Sequence, residues 1–241
     1  VVSSAYITMT LELMSDFGIH YSREPNTIKI SGQKYQAKAA MVENDWSSMS
    51  FFYAFAMLAD EVDITASFLQ EKSLQGDSFI RLFAADFGII SRFSGQKLHV
   101  SKKESFHQKY TQCYHLSEVP DMAIPVIVAC AIRFPELTFS GLQHLQYKES
   151  DRLHALKHEL KKVNIDLQYK NDLLCFDSSK YIADKQTVHF NCYQDHRIAM
   201  ALSLFALEGF TVILNDPACV QKSFPQYFEE LSKLGFNCLV F

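Results

Sequence analysis

Asp45, Asp121 and Asp195 each follow an apolar run of strand character and open an apolar run of helical character, at a nearly constant interval along the chain. No other feature limits the fold as much. An acid at such a junction caps a helix by accepting hydrogen bonds from its first free amides. After each acid the order repeats as helix, strand, second helix and strand, so one supersecondary unit used three times accounts for the pattern. The period is longer than that of common solenoid repeats. Units set about a common axis would present the N-termini of their first helices together, where partial positive charge attracts phosphates and carboxylates. The expected fold class is α/β (α+β).

Taken in order, residues 5–17 read as a helix closed by Gly18, followed by strands over 19–22, 27–30 and 35–42. Asp45 opens a long apolar helix to about residue 60, with Phe51, Phe52 and Tyr53 in the core. A strand over 62–68, a polar loop over 73–77, a helix over 79–87 and two strands about Ser94-Gly95-Gln96 close the first round. The second has a strand over 112–119, a helix over 122–134 capped by Asp121 with Pro125 in its first turn, and a strand over 136–140. It ends with a helix stopped at Asn164 and a hairpin at Asn171-Asp172. The third has a strand over 187–194, a helix over 198–207 stopped by Gly209, and a strand over 210–214. A loop over 215–223, a helix over 224–234 and a strand over 237–241 complete it.

Lys148-Glu149-Ser150-Asp151-Arg152 puts four ionisable groups in five residues, directly before an amphipathic helix that buries Leu153, Leu156, Leu160 and Val163. Ser150 or Asp151 is the N-cap, which sets Arg152 in the first turn. A cation there opposes the helix dipole unless an anion completes the site. Reactive side chains also gather at Pro120-Asp121, at Asp195-His196-Arg197 and at Lys222-Ser223-Phe224-Pro225, corresponding edges of the repeat. Singly, the second reads as a cap with an ion pair and Lys222 as a solvated lysine. Together, Lys148, Arg152, Arg197 and Lys222 form a clamp for phosphate or carboxylate oxygens, with Asp121 and Glu149 placed to move protons.

Other chemistries find little support. The net charge of -4 leaves no basic stripe for a nucleic-acid backbone. The six cysteines show no CxxC spacing and read as reduced, buried thiols of a cytoplasmic protein. No apolar run has membrane-spanning length. His154 and His158 have the spacing of helical metal ligands without a third partner, so they read as a surface pair, with no metal or cofactor expected. There is no dinucleotide fingerprint, Walker loop, zincin motif or nucleophile elbow. The start at Val1-Val2-Ser3-Ser4 reads as a chain entered midway.

Lys-Glu-Ser-Asp-Arg (148–152), Asp-His-Arg-Ile-Ala-Met (195–200) and Lys-Ser-Phe-Pro-Gln-Tyr-Phe (222–228), with Pro120-Asp121 upstream, resemble the 5-enolpyruvylshikimate-3-phosphate (EPSP) synthases in order and spacing. Glu43-Asn44-Asp45-Trp46-Ser47-Ser48 and Ser73-Leu74-Gln75-Gly76-Asp77 extend the likeness over nearly the whole chain. The resemblance implies two similar domains of three βαβαββ units with the substrates in the cleft between them. Residues 1–42 would be the end of the first domain and 43–241 the second. It implies transfer of an enolpyruvyl group from phosphoenolpyruvate to the 5-hydroxyl of shikimate 3-phosphate, with phosphate released, without a metal, in a protein monomeric at full length. By the same resemblance Asp121 is proton acceptor, Glu149 donates to the methylene carbon, and Arg152, Arg197 and Lys222 hold phosphoenolpyruvate, with Lys222 a proton carrier. Lys148, Ser3, Tyr6, His144 and His196 match substrate-site positions. Asn44 stands where the family has Gly, and His144 where it has Asn. The alternatives are a non-catalytic anion-binding fragment needing a complementing N-terminal domain, or a relative of UDP-N-acetylglucosamine enolpyruvyl transferase, which lacks the Lys-Glu-x-Asp-Arg signature.

Overall fold

A computed structural model describes residues 4–104, 112–183 and 185–239. Helix α1 (Ser4–Asp16) leads into a hairpin of β1 (Tyr21–Glu24) and β2 (Thr27–Ile30). The first round is α2 (Trp46–Leu58), β3 (Asp63–Ser67), a 3₁₀ turn (Gly76–Phe79), α3 (Ile80–Ala85), β4 (Ile89–Ser94) and β5 (Lys97–Lys102). The second is β6 (Cys113–His115), α4 (Pro120–Arg133), β7 (Thr138–Ser140), a 3₁₀ turn (Gln143–Tyr147), α5 (Arg152–Lys161), β8 (Asp166–Lys170) and β9 (Leu173–Asp177). The third is β10 (Thr187–Phe190), α6 (His196–Leu202), β11 (Thr211–Leu214), a 3₁₀ turn (Pro217–Lys222) and α7 (Tyr227–Lys233).

The repeat is visible in the sheets. In the second round β6 runs parallel to β7 and the order is β6-β7-β9-β8; in the third β10 runs parallel to β11. In each the first helix crosses between the parallel pair. These helices form the core: every residue from Met122 to Ile132 of α4 is buried, and α4 packs against both α2 and α6. Helices apolar all round belong in an interior. Asn171 and Asp172, with φ of 53° and 59°, make the turn of the expected hairpin.

Several elements depart from the sequence reading. Residues 35–42 form no strand: Tyr35 and Val42 are exposed, and one edge of β3 stays free in the order β3-β5-β4. A strand needs a ladder of partners to satisfy its amides; here the Gln36 amide donates to the Phe17 carbonyl at 2.8 Å and, just past the segment, the Asn44 amide to the Phe68 carbonyl at 2.8 Å, which makes no ladder with β3. Residues 237–239 are likewise not a strand, and 240–241 lie outside the described residues. The polar stretches 73–77 and 215–223 contain 3₁₀ turns in place of plain loops. Helix α4 begins at Pro120 rather than after Asp121, so its N-cap is Val119 and Asp121 sits inside the first turn. Pro125 then falls two residues deeper than expected, in the second turn, and removes the N–H that would bond the Asp121 carbonyl. Two of the three repeat acids do cap. Asp45 accepts from the amides of Ser47 and Ser48, and Asp195 from that of Arg197.

Candidate active site

The N-terminal ends of the inner helices meet. Asp121 in the first turn of α4 lies 3.1 Å from Arg197 Nη2 at the start of α6 and 3.1 Å from Arg152 Nη1 at the start of α5. Asp151, of the two candidates, is the N-cap of α5, accepting from the His154 amide at 3.0 Å. Arg152 therefore turns inward, where it is 1% exposed. Its Nε donates to Asp195 at 2.9 Å, its Nη1 to Asp121, and its Nη2 to Glu149 at 2.8 Å. The anion expected opposite Arg152 is thus supplied from within, by three carboxylates. Burial opposes the charge on Arg152, and the hydrogen bond with Asp195 together with the charges of Asp195, Asp121 and Glu149 outweighs that.

Asp195 is the centre that the sequence reading treated only as a cap. It is fully buried, accepts from Ser150 Oγ at 3.0 Å as well as from Arg152, and follows two residues in left-handed conformation, Tyr193 and Gln194, with φ of 55° and 54°. Each costs on the order of 1 kcal/mol. The turn they make puts the carboxylate between α5 and α6, and backbone strain of this sort collects at functional sites. The Asp-His-Arg triplet was the available signal; what it lacked was the partner, 43 residues upstream.

Asp121 also accepts from Tyr6 Oη at 2.6 Å, and Lys148 Nζ stands 3.8 Å away. Burial works against its ionisation. Arg197 first, then the Tyr6 hydroxyl, Lys148 and Arg152 outweigh that, and hold the carboxyl down at about 2. Glu149 is likewise held at about 2 against the effect of burial, chiefly by the hydrogen bond from Lys222 Nζ at 2.9 Å. Tyr6 arrives because α1 starts against the 3₁₀ turn at Gly76. A Cβ there would sit 2.8 Å from that of Ala5 and 3.3 Å from the Glu118 carbonyl, so only glycine allows the approach. Glu118 ties down the same end, accepting from Ser4 Oγ at 2.6 Å and the Ala5 amide at 3.1 Å.

Within this turn is Asp77, which the sequence places in the 73–77 signature without a site role. It is 4% exposed, takes a 2.5 Å hydrogen bond from Ser47 Oγ at the start of α2, and is pushed up to about 6 by burial. Two histidines complete the surroundings. Nε2 of His144 and Nδ1 of His196 are buried without a partner; both rings are biased toward the neutral form, by burial first and then by Lys148 and Arg197 respectively. Asp172 fixes the loop before His144 by accepting from the amides of Gly141 and Leu142 at 3.0 and 3.1 Å.

The structure therefore brings together Tyr6, Asp121, Lys148, Glu149, Arg152, Arg197 and Lys222, with His144 and His196 beside them. Ser3 lies outside the described residues. Four cations face three carboxylates where helix ends already carry partial positive charge, so the arrangement suits a polyanion able to compete for the cations. Among the described residues no group of three or more His, Cys, Asp or Glu could hold a metal ion, and no helix is long and apolar enough to cross a membrane.

Comparison with known proteins decides the family, since the EPSP synthase (3-phosphoshikimate 1-carboxyvinyltransferase) family model matches residues 1–231. The chain belongs to the EPSP synthase family. A curated 3-phosphoshikimate 1-carboxyvinyltransferase of Bacteroides fragilis is 33% identical over 241 residues, covering 100% of this chain and 58% of its own. Another, of Histophilus somni, is 31% identical over 245 residues, covering 98% and 54%. The chain thus spans little more than half the length of these relatives. An EPSP synthase structure from Acinetobacter baumannii superposes with a TM-score of 0.69 over 93% of this chain and 53% of that one, at 22% identity. An enolpyruvyl transferase from Streptomyces tendae gives 0.67 over 96% and 53%, at 13% identity. Both show the enolpyruvyl transferase fold, as the sequence implied.

Proposed function

We propose that this chain carries the acid-base half of an EPSP synthase site, taking part in the transfer of the enolpyruvyl group of phosphoenolpyruvate to the 5-hydroxyl of shikimate 3-phosphate. The single observation that carries the reading is the Asp121–Arg152–Arg197–Glu149–Lys222 cluster at the converging helix starts. The family supplies the reaction and the cluster supplies the residues. Residues 43–241 are the second domain of the enzyme and residues 1–42 the end of the first. Support for that division comes from the separate β1–β2 hairpin and from the few side chains, Ser4 and Tyr6 among them, that join α1 to the rest. At full length the protein is a cytoplasmic monomer whose remaining phosphate contacts lie outside these residues.

Electrostatics gives the order of events. Paired with their own cations, Asp121 and Glu149 are ionised, which makes Asp121 a weak base and leaves Glu149 without a proton to give. Anionic substrates change both. The phosphate and carboxylate of phosphoenolpyruvate compete for Lys222, Arg152 and Arg197, while shikimate 3-phosphate engages Lys148, Tyr6, His144 and His196. Stripped of cations, both carboxylates rise in pKa. Glu149 then protonates the methylene carbon, and Asp121 accepts the proton of the attacking 5-hydroxyl. The tetrahedral adduct collapses as the carbon–oxygen bond to phosphate breaks, with Lys222 beside the leaving group; loss of the methyl proton restores the enol ether. The cations stabilise charge developing on phosphate.

Calorimetry with both substrates, using this chain with and without an EPSP synthase N-terminal domain, tests the reading. Binding of both by the mixture, phosphate release, and at least a hundredfold lower turnover in Glu149→Gln with binding retained are expected. A folded, complemented chain that binds neither substrate would sink it.

A further inference from the structure

Helix α5 carries a second buried charge that helix formation does not explain. Glu159 lies in its last turn, where an acid opposes the helix dipole, and is 1% exposed. It follows Arg152 by seven residues, about two turns, so the two side chains leave the same face of the helix. A buried carboxylate is unfavourable unless donors surround it, and three do. Glu159 Oε2 accepts from Lys162 Nζ at 2.6 Å and from the Asn191 amide at 2.9 Å, while Oε1 accepts from Tyr193 Oη at 2.9 Å. Lys162 Nζ donates as well to the His189 carbonyl at 3.0 Å.

These bonds all fall on the stretch that runs from β10 to Asp195. It contains Tyr193 and Gln194, the two left-handed residues, and a conformation that side chains disfavour persists only where its surroundings dictate it. Asn215, just after β11, takes the Cys192 amide on its Oδ1 at 2.8 Å, and the Asp195 amide donates to the Cys192 carbonyl at 2.9 Å. At the end of the stretch Asp195 meets Arg152. Helix α5 therefore grips the stretch twice: Arg152 holds the residue that enters the site, and Glu159 holds the turn that brings it there. Burial and then Glu159 push the Tyr193 hydroxyl up to about 12, so it remains a donor at neutral pH.

We propose that Glu159 is a positioning residue of the site: by fixing Asn191 and Tyr193 it sets the turn that puts Asp195 against Arg152 and starts α6 where Arg197 reaches Asp121. For catalysis the inference rests on the enolpyruvyl reading; for the placement of Asp195 it does not. The partners also say what kind of side chain is required. Three donors point at Glu159, so an acceptor is needed and a full charge is not. Glu159→Gln satisfies them with its carbonyl toward Asn191 and Lys162 and its amide toward Tyr193, whose hydroxyl can accept as well as donate. Glu159→Leu, of similar size, leaves an amide and a hydroxyl without a partner.

Two measurements on the same variants test this. The first is amide hydrogen exchange of the folded chain, followed peptide by peptide by mass spectrometry. In Glu159→Leu the segment 191–197 should exchange about tenfold faster or more, with the β4–β5 hairpin unchanged, and in Glu159→Gln it should stay within about twofold of wild type. The second is turnover per folded chain, with an EPSP synthase N-terminal domain added. Glu159→Leu should lose about tenfold to a hundredfold, the scale of a misplacement by about 1 Å, and Glu159→Gln should restore most of it. Should Glu159→Leu misfold, Tyr193→Phe, which removes one hydroxyl at a partly buried position, should speed exchange over the same segment and lower turnover by a smaller factor. Exchange that rises alike over the whole chain, unchanged turnover in a folded Glu159→Leu, or a Glu159→Gln as damaged as Glu159→Leu overturns the proposal. A wild-type mixture without turnover fails the enolpyruvyl reading instead, and the exchange pattern still decides whether Glu159 places Asp195.

Discussion

The two ends of the inner-helix core use the same residue types in opposite ways. Where α2 and α4 finish, Lys102 Nζ donates to the carbonyls of Ala59 and Met57, and Arg133 Nη2 reaches the Leu58 carbonyl at 3.4 Å and Glu208 at 3.0 Å. Cations there satisfy carbonyls that have no helical partner and match the dipole. Where α4, α5 and α6 begin, Arg152, Arg197 and Lys148 stand against the dipole and are held by Asp121, Glu149 and Asp195. One end is complete in itself. The other is arranged at an electrostatic cost that folding does not require, and the difference marks it as the end built for a ligand.

The largest expected effect comes from breaking the buried network. Arg152→Met leaves Asp195, fully buried, without its cation. An uncompensated buried charge costs about 3–5 kcal/mol, so the urea midpoint should fall by that equivalent, and adding Asp195→Asn should recover part of the loss. A loss below about 1 kcal/mol would mean that the two ends do not differ as argued.

Acid titration sharpens the contrast within the ligand end itself. Asp121 and Glu149 have folded pKa values depressed to about 2, so they contribute stability that is present above their ordinary range near 4 and lost as pH falls toward 2. Asp77 has the opposite sign. Its pKa is raised to about 6, so the cost of ionising it in the fold is present above pH 6 and relieved as pH falls toward 4. A shift of that size corresponds to on the order of 2–3 kcal/mol. Asp77→Asn should therefore remove most of the stability change between pH 4 and 6, read by urea unfolding at stepped pH, and the steep loss below pH 4 should remain. An unchanged profile in that variant would take Asp77 out of the account.

How much of this was legible follows from which interactions are local. The threefold order of inner helices and the Asn171-Asp172 hairpin rest on periodicity and turn chemistry within a few residues, and both are present, whereas the strands expected over 35–42 and 237–239 and the Asp121 cap are not. The strand expected over 35–42 was not found, because an extended segment is a strand only with a partner, and none forms along the free edge of β3. At the site, the cations and the pair Asp121 and Glu149 announced themselves as charge at helix starts. Their pairing did not. Asp195 meets Arg152 over 43 residues of chain and Ser47 meets Asp77 over 30, so in the sequence Asp195 reads as a helix cap and Asp77 as part of a polar loop until the fold joins them to their partners. In sequence Asp121 reads as a cap, because an acid after a strand usually is one; Pro120, well suited to the first helical position, moves the start by a turn's fraction and turns the side chain into the site.

The smallest expected effect belongs to the finished end. Lys102 is partly exposed, its charge is disfavoured by burial and by Arg133 nearby, and it bonds only carbonyls. Lys102→Met gives up a helix-end interaction worth about 0.5–1 kcal/mol and relieves some repulsion with Arg133, so thermal unfolding should shift only slightly. Binding of inorganic phosphate, measured by calorimetry, should be unchanged in this variant and at least severalfold weaker in Lys222→Met, although Lys222 is the more exposed of the two lysines and its ion pair with Glu149 matters less to stability. Equal weakening by both substitutions would mean that phosphate responds to overall charge, and the distinction between the two ends would fail.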